Sequence, residues 1–125
     1  MKILIVEDDN GCLLVLTMFM KSIGYNPDDF ILTENGQESV ELFEKNKDDI
    51  SFVLMDVRLP KLDGYEATRQ IMKIKKVPVI MITAQAMVGS RRESLEAGCV
   101  DHLCKPYKVD ELKDMLIKHN LYFVK

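Results

Sequence analysis

Val53-Leu54-Met55-Asp56-Val57-Arg58-Leu59-Pro60-Lys61-Leu62-Asp63-Gly64 is the stretch that decides the fold. The apolar run from Phe52 to Met55 has the β-branched and aliphatic make-up of a buried strand, and it stops on an acid, Asp56. Pro60 and Gly64 follow within a few residues and together force a loop. Asp56 is therefore offered at the end of a strand. In an open α/β sheet the ligand crevice lies outside the carboxyl ends of the strands, so an acid at that point is placed for chemistry. Aspartate is also a common turn former, and the rest of the chain separates the two readings.

Upstream, Lys2 to Val6 reads as a buried first strand that runs into Glu7-Asp8-Asp9, with Asn10 as the cap of the helix that follows. Cys12, Leu16, Phe19, Met20 and Ile23 recur at helical spacing, and Gly24 stops that helix. Phe30 to Thr33 is a short second strand, and Asn35-Gly36-Gln37-Glu38 resembles a capping box for a helix with Val40 and Phe43 inward. Downstream, Asp63-Gly64-Tyr65-Glu66 opens a helix carrying Thr68, Ile71 and Met72, which ends in the basic Lys73 to Lys76. Pro78 precedes a fourth strand, Val79 to Ile82, closing on Thr83.

The next helix, about Gly89 to Ala97, is polar, with only Leu95 clearly apolar in its middle, and is expected to be the least firmly packed. Gly98 ends it. Asp101 to Cys104 is a fifth strand, and Lys105-Pro106 turns the chain into a last helix with Val109, Leu112, Met115 and Leu116 on one face. Strands that alternate with helices over crossover-length connections predict a parallel sheet covered on both faces. The expected architecture is a doubly wound, five-stranded α/β fold of flavodoxin-like order 2-1-3-4-5.

The chain has 125 residues, enough for one domain over 1–125 with a real core. With 47% hydrophobic and 30% charged residues the composition is that of an ordinary globular protein. No stretch approaches the roughly 18 apolar residues of a membrane span, and the apolar start, Ile3 to Val6, meets acids too soon for a signal peptide. A cytoplasmic location is expected. A net charge of −3 gives no electrostatic reason to expect nucleic-acid binding, where a basic face is the usual footprint. Cys12, Cys99 and Cys104 are odd in number without a CxxC pair, and Cys99, His102 and Cys104 match no standard zinc spacing.

In a sheet of the expected order the first and third strands meet at the topological switch point. Glu7, Asp8 and Asp9 after the first strand, Asp56 after the third, Thr83 after the fourth and Lys105 after the fifth then converge on one crevice. Carboxylates held this close repel unless a cation sits between them. Magnesium suits the set, because it prefers one or two carboxylates, several waters and a phosphate oxygen to a full protein cage. A carboxylate beside it is a candidate nucleophile toward phosphorus. The Lys105 ammonium would neutralise phosphoryl charge, and the Thr83 hydroxyl would donate to a phosphoryl oxygen.

These residues resemble a known family. Ile3-Leu4-Ile5-Val6-Glu7-Asp8-Asp9, Leu54 to Gly64, Ile80-Met81-Ile82-Thr83-Ala84 and Cys104-Lys105-Pro106 match in order and spacing the signatures of the response-regulator receiver domain of two-component signalling. The resemblance covers essentially the whole chain. It implies that Asp56 is the phosphoacceptor, that Glu7 and Asp8 bind Mg2+ with Asp56 and the backbone carbonyl of Arg58, that Thr83 is the switch hydroxyl and that Lys105 faces the phosphate. It further implies a cis Lys105-Pro106 bond and leaves Asp9 peripheral. The phosphoryl donor would be a sensor histidine kinase or histidine phosphotransfer protein, and the output a downstream protein target, with neither nucleic acid nor membrane as partner. Self-catalysed phosphotransfer and slow autodephosphorylation make such a domain a signalling phosphoacceptor rather than an enzyme. The chain resembles a stand-alone receiver without an output domain, monomeric or dimerising on phosphorylation through the fourth helix, fifth strand and fifth helix.

Three positions depart from the family pattern or tune it. The switch ring, usually Tyr or Phe, is His102 here. Arg58 and Gln85, two places past Asp56 and Thr83, would flank the phosphoryl site and set the lifetime of the acyl phosphate. Rival readings fit less well. A magnesium-dependent phosphatase of the haloacid dehalogenase type wants a second acid two residues after the nucleophile, where Arg58 stands. A nucleotide or flavin module lacks its glycine-rich loop. A pseudo-receiver that binds partners without phosphorylation would have no need of the full set Glu7, Asp8, Asp56, Thr83 and Lys105.

Overall fold

The computed structural model describes residues 1–59, 61–84 and 88–122, without the side chains of 88–91. Its elements are β1 (Lys2–Val6), α1 (Asn10–Ile23), a 3-10 turn (Pro27–Asp29), β2 (Phe30–Thr33), α2 (Gly36–Asn46), β3 (Ile50–Asp56), α3 (Gly64–Ile74), β4 (Val79–Thr83), α4 (Val88–Ala97), β5 (Asp101–Cys104) and α5 (Val109–Lys118). The strands form one parallel sheet in the order β2-β1-β3-β4-β5, as expected from the alternation of strand and helix patterns.

The strands read as unbroken apolar runs because both faces of the sheet are covered, and successive side chains serve opposite cores. Leu4, Val6, Val53, Met55, Val79 and Met81 pack with Phe43 of α2, Ile71 of α3 and Ala97 of α4. Ile3, Ile5, Phe52, Leu54, Ile80, Ile82 and Leu103 pack with Leu16 and Met20 of α1 and Leu112 and Leu116 of α5. In α4 the inward positions are the small Ser94 and Ala97, while Leu95 is 49% exposed. The one apolar residue that stands out in that helix's sequence thus faces solvent.

The helix starts are held by side-chain caps. Asn35 Oδ1 accepts the Glu38 N–H at 2.7 Å and Asp63 Oδ1 accepts the Glu66 N–H at 2.9 Å, as the two box-like sequences suggest. The cap of α1 is Asp9 and not Asn10: Asp9 is extended and its Oδ2 accepts the Cys12 N–H at 2.8 Å, whereas Asn10 is already helical. An aspartate caps as well as an asparagine, so position relative to the end of β1 makes the choice.

Two glycines let the loop after β3 close down on its neighbours. A Cβ on Gly64 would lie 2.1 Å from the carbonyl oxygen of Asp56, and one on Gly36 would lie 1.8 Å from that of Leu62. The Gly64 N–H donates to the Val57 carbonyl at 2.8 Å. Between these points Lys61 takes a left-handed φ of 69°, an uncommon conformation for a residue with a side chain. Asp56 is thereby presented from a strand end whose continuation is clamped to the starts of α2 and α3.

Candidate functional site

Glu7 and Asp8 leave β1 where Asp56 ends β3, and the two strands pair directly, Val6 against Met55. One carboxylate oxygen from each of Glu7, Asp8 and Asp56 lies within 4.8 Å of the others. Glu7 and Asp56 are buried, at 3% and 6% exposure, and Asp8 is exposed. Lys105 arrives from the end of β5. Its Nζ is 2.9 Å from Glu7 Oε1 and 3.6 Å from Asp56 Oδ2, and its backbone N–H donates to the Thr83 carbonyl at 2.7 Å. That bond fixes the ends of β4 and β5 side by side and holds the buried Thr83 on the same rim of the sheet. The Lys105–Pro106 bond is cis.

The electrostatics follow from this crowding. Burial, with the Glu7 carboxylate alongside, pushes Asp56 up to about 7, against the opposing pull of Lys105 and the Arg58 N–H. Burial also works to raise Glu7, but hydrogen bonds from Asp56 and Lys105 hold it below its ordinary value. The ammonium of Lys105 is favoured in turn: burial works against it, and Glu7 and Asp56 outweigh burial. Lys105 is thus committed first to Glu7, and Asp56 is the acid left with the longer contact.

An all-oxygen set of three carboxylates facing a single ammonium fits a hard divalent cation, which would relieve the repulsion that raises Asp56. The Arg58 N–H lies 3.4 Å from Asp56 Oδ1, in the turn that leaves β3. His102 is half-buried in the middle of β5 and is not part of the carboxylate cluster. Gln85, expected to flank the site, lies outside the described residues, as does Pro60 of the loop. Asp9 is more than peripheral. Besides capping α1, it donates its N–H to Glu7 Oε2 at 3.2 Å and so orients that carboxylate. Strand order brings Glu7 and Lys105, 98 residues apart, to one crevice; that the ammonium lies nearer Glu7 than Asp56 is decided by packing there.

A cavity of about 640 Å3 opens beside Lys105, with Cys12, Val15, Pro106 and Tyr107 in its wall. Tyr107 is set by an edge-on contact with Phe19, 5.7 Å between ring centroids. Along the adjoining face of α1, Leu14, Val15 and Met18 are 60%, 45% and 54% exposed.

The family model for the response regulator receiver domain matches residues 3–117. Among curated relatives, the chain is 37% identical over 90% of its length to a probable transcriptional regulator ycf27 of Guillardia theta, and 34% identical over 89% to the response regulator MprA of a Mycobacterium species. It spans less than half of these relatives, 42% and 46% of their lengths. Among solved structures, the receiver domain of sensor histidine kinase PA1611 from Pseudomonas aeruginosa, which carries a magnesium ion coordinated in its active-site cleft, superposes with a TM-score of 0.82 at 38% identity over 94% of each chain. The CheX-CheY-BeF3-Mg complex of Borrelia burgdorferi superposes with a TM-score of 0.86 at 28% identity, over 99% of this chain and 90% of that one.

Proposed function

The chain belongs to the response-regulator receiver family, and on that premise we propose that Asp56 accepts a phosphoryl group from a partner's phosphohistidine with Mg2+ held by Glu7, Asp8, Asp56 and the Arg58 carbonyl. The observation that carries this reading is the convergence of three carboxylates and Lys105 at the ends of β1, β3 and β5. When bound, the magnesium ion supplies positive charge to the carboxylates and to the phosphoryl oxygens.

The chain's own residues do the rest. One oxygen of the ionised Asp56 attacks phosphorus in line with the departing imidazole nitrogen. The P–N bond breaks, the nitrogen takes back its electron pair, and an aspartyl phosphate remains. Lys105 already reaches both Glu7 and the Asp56 edge, so a small swing brings its ammonium to a phosphoryl oxygen. Thr83 donates its hydroxyl to another, drawing the end of β4 inward. Arg58 flanks the site and, with Gln85, sets how fast water reaches the acyl phosphate.

The donor docks where Leu14, Val15 and Met18 lie exposed beside the cavity at Lys105, apolar surface that a histidine-bearing kinase or phosphotransfer protein would cover. Phosphorylation then shifts α4, whose buried positions among the described residues are the small Ser94 and Ala97, and His102, so that a protein target meets an altered surface. On this reading the domain acts as a signalling phosphoacceptor.

Intact-protein mass after incubation with Mg2+ and acetyl phosphate tests the reading. One added phosphoryl group that is absent from Asp56→Asn and absent without Mg2+ is expected. A wild-type mass that stays unchanged would overturn it.

A further inference from the structure

At the pole of the molecule opposite the carboxylate cluster, one buried side chain collects three donors. Asp101, at the start of β5, is 6% exposed. Its Oδ1 accepts the backbone N–H of the next residue, His102, at 2.9 Å. Its Oδ2 takes His119 Nε2 at 2.9 Å and Lys118 Nζ at 3.2 Å. The Cys99 thiol, before β5, lies within the field of this carboxylate. Lys118 is 65% exposed at its side chain and His119 only 20%, so the His119 contact is the better shielded of the two.

His119 opens a short strap after α5. Asn120 turns the chain with a left-handed φ of 59°, and the Leu121 N–H returns to the Leu116 carbonyl at 2.7 Å. Leu121 is buried, and its carbonyl accepts the hydroxyl of Tyr25, just past α1. Tyr25 packs edge-on against Phe52 of β3, and Lys113 sits 5.5 Å over the Tyr122 ring. The strap therefore reaches β5 directly through Asp101 and β3 through Tyr25.

Neighbouring residues on a strand point to opposite faces of the sheet. Leu103 lies in the core under α1 and α5, so Asp101 shares that side and His102 faces the side of α4. Asp101 is thus bonded both to the backbone of the residue on the α4 side and to the end of the helix on the other. A hydrogen bond to a buried charge is steeply distance-dependent and costly to break, so a shift of the His102 backbone carries the carboxylate and its α5 partners with it.

We propose that Asp101 is a positioning residue that couples the backbone at His102 to the strap His119–Tyr122, making the strap a second place, besides α4, where the phosphoryl state of the site is read. This rests on the receiver reading, and the test separates the two. Amide hydrogen exchange is followed in the full chain with and without beryllium fluoride plus Mg2+, in wild type, Asp101→Asn and His119→Ala. The Lys105 amide, bonded to Thr83, reports occupation of the site. The Leu121 amide reports the strap.

In wild type both amides are expected to change rate on adding the mimic, the strap by about threefold or more. In the two variants the Lys105 response persists and the Leu121 response is lost. His119→Ala leaves Asp101 two of its donors and serves if Asp101→Asn folds poorly. A strap that stays silent in wild type while Lys105 responds, or that responds equally in the variants, overturns the coupling. If Lys105 is silent and no mass adduct forms, the receiver reading itself fails and takes the coupling with it.

Discussion

Asp56 and Asp101 are equally buried, at 6% exposure each, yet their carboxyls move in opposite directions. Asp56 is pushed up to about 7 by burial and by Glu7, and Lys105 gives it only the longer of its two contacts, 3.6 Å. At Asp101 burial also works upward, but His119, the His102 N–H and Lys118 outweigh it and hold the group below its usual range. Burial weighs more heavily on Asp56, which has a second acid beside it, while three donors offset it at Asp101. A carboxylate given a full set of donors is a brace. One left short beside a second acid is poised to take a cation or to react.

The largest expected effect breaks the brace. Asp101→Asn leaves the His119 and Lys118 contacts without their anion, and should cost about 2–4 kcal/mol at pH 7 by urea unfolding. A depressed carboxyl contributes stability above its unfolded value, about 3.9, and loses it as pH falls through the folded value. The gap between wild type and Asp101→Asn should therefore close in acid. A variant as stable as wild type at pH 7 would remove the contrast.

Asp56→Asn is expected to do the reverse. A carboxyl raised in the folded state binds more protons folded than unfolded between about 3.9 and about 7, so stability falls as pH rises through that window. Without magnesium the variant should be more stable than wild type by about 1–3 kcal/mol at pH 8, and no more stable below about pH 4. Destabilisation at pH 8 would show that Asp56 is as well satisfied as Asp101.

The smallest effect sharpens the comparison. Cation binding at the cluster must displace the Asp56 proton, so magnesium affinity by calorimetric titration should fall about tenfold from pH 8 to pH 6, with proton release at the lower pH. An affinity independent of pH would place the proton elsewhere.

Much of the architecture was legible in the chain. The apolar runs ending on Val6, Met55 and Ile82, the glycines at 24 and 98, and the boxes at Asn35 and Asp63 mark elements through local rules of period and capping, which act over a few residues. The convergence of Glu7, Asp8, Asp56 and Lys105 was legible too, because strand order places strand ends. The choice of Asp9 over Asn10 as cap, and the outward turn of Leu95, were not: both depend on how a helix is seated rather than on what it contains.

Local patterning was enough to specify which residues form strands and that the strands lie parallel, and the strand order of the fold type then places the polar side chains at their carboxyl ends. What each carboxylate does there depended on packing. Depth of burial, the pairing of Lys105 with Glu7 and the donors around Asp101 are set by contacts between residues distant in the chain, and a charge answers to everything within a few ångströms, whatever its place in the sequence.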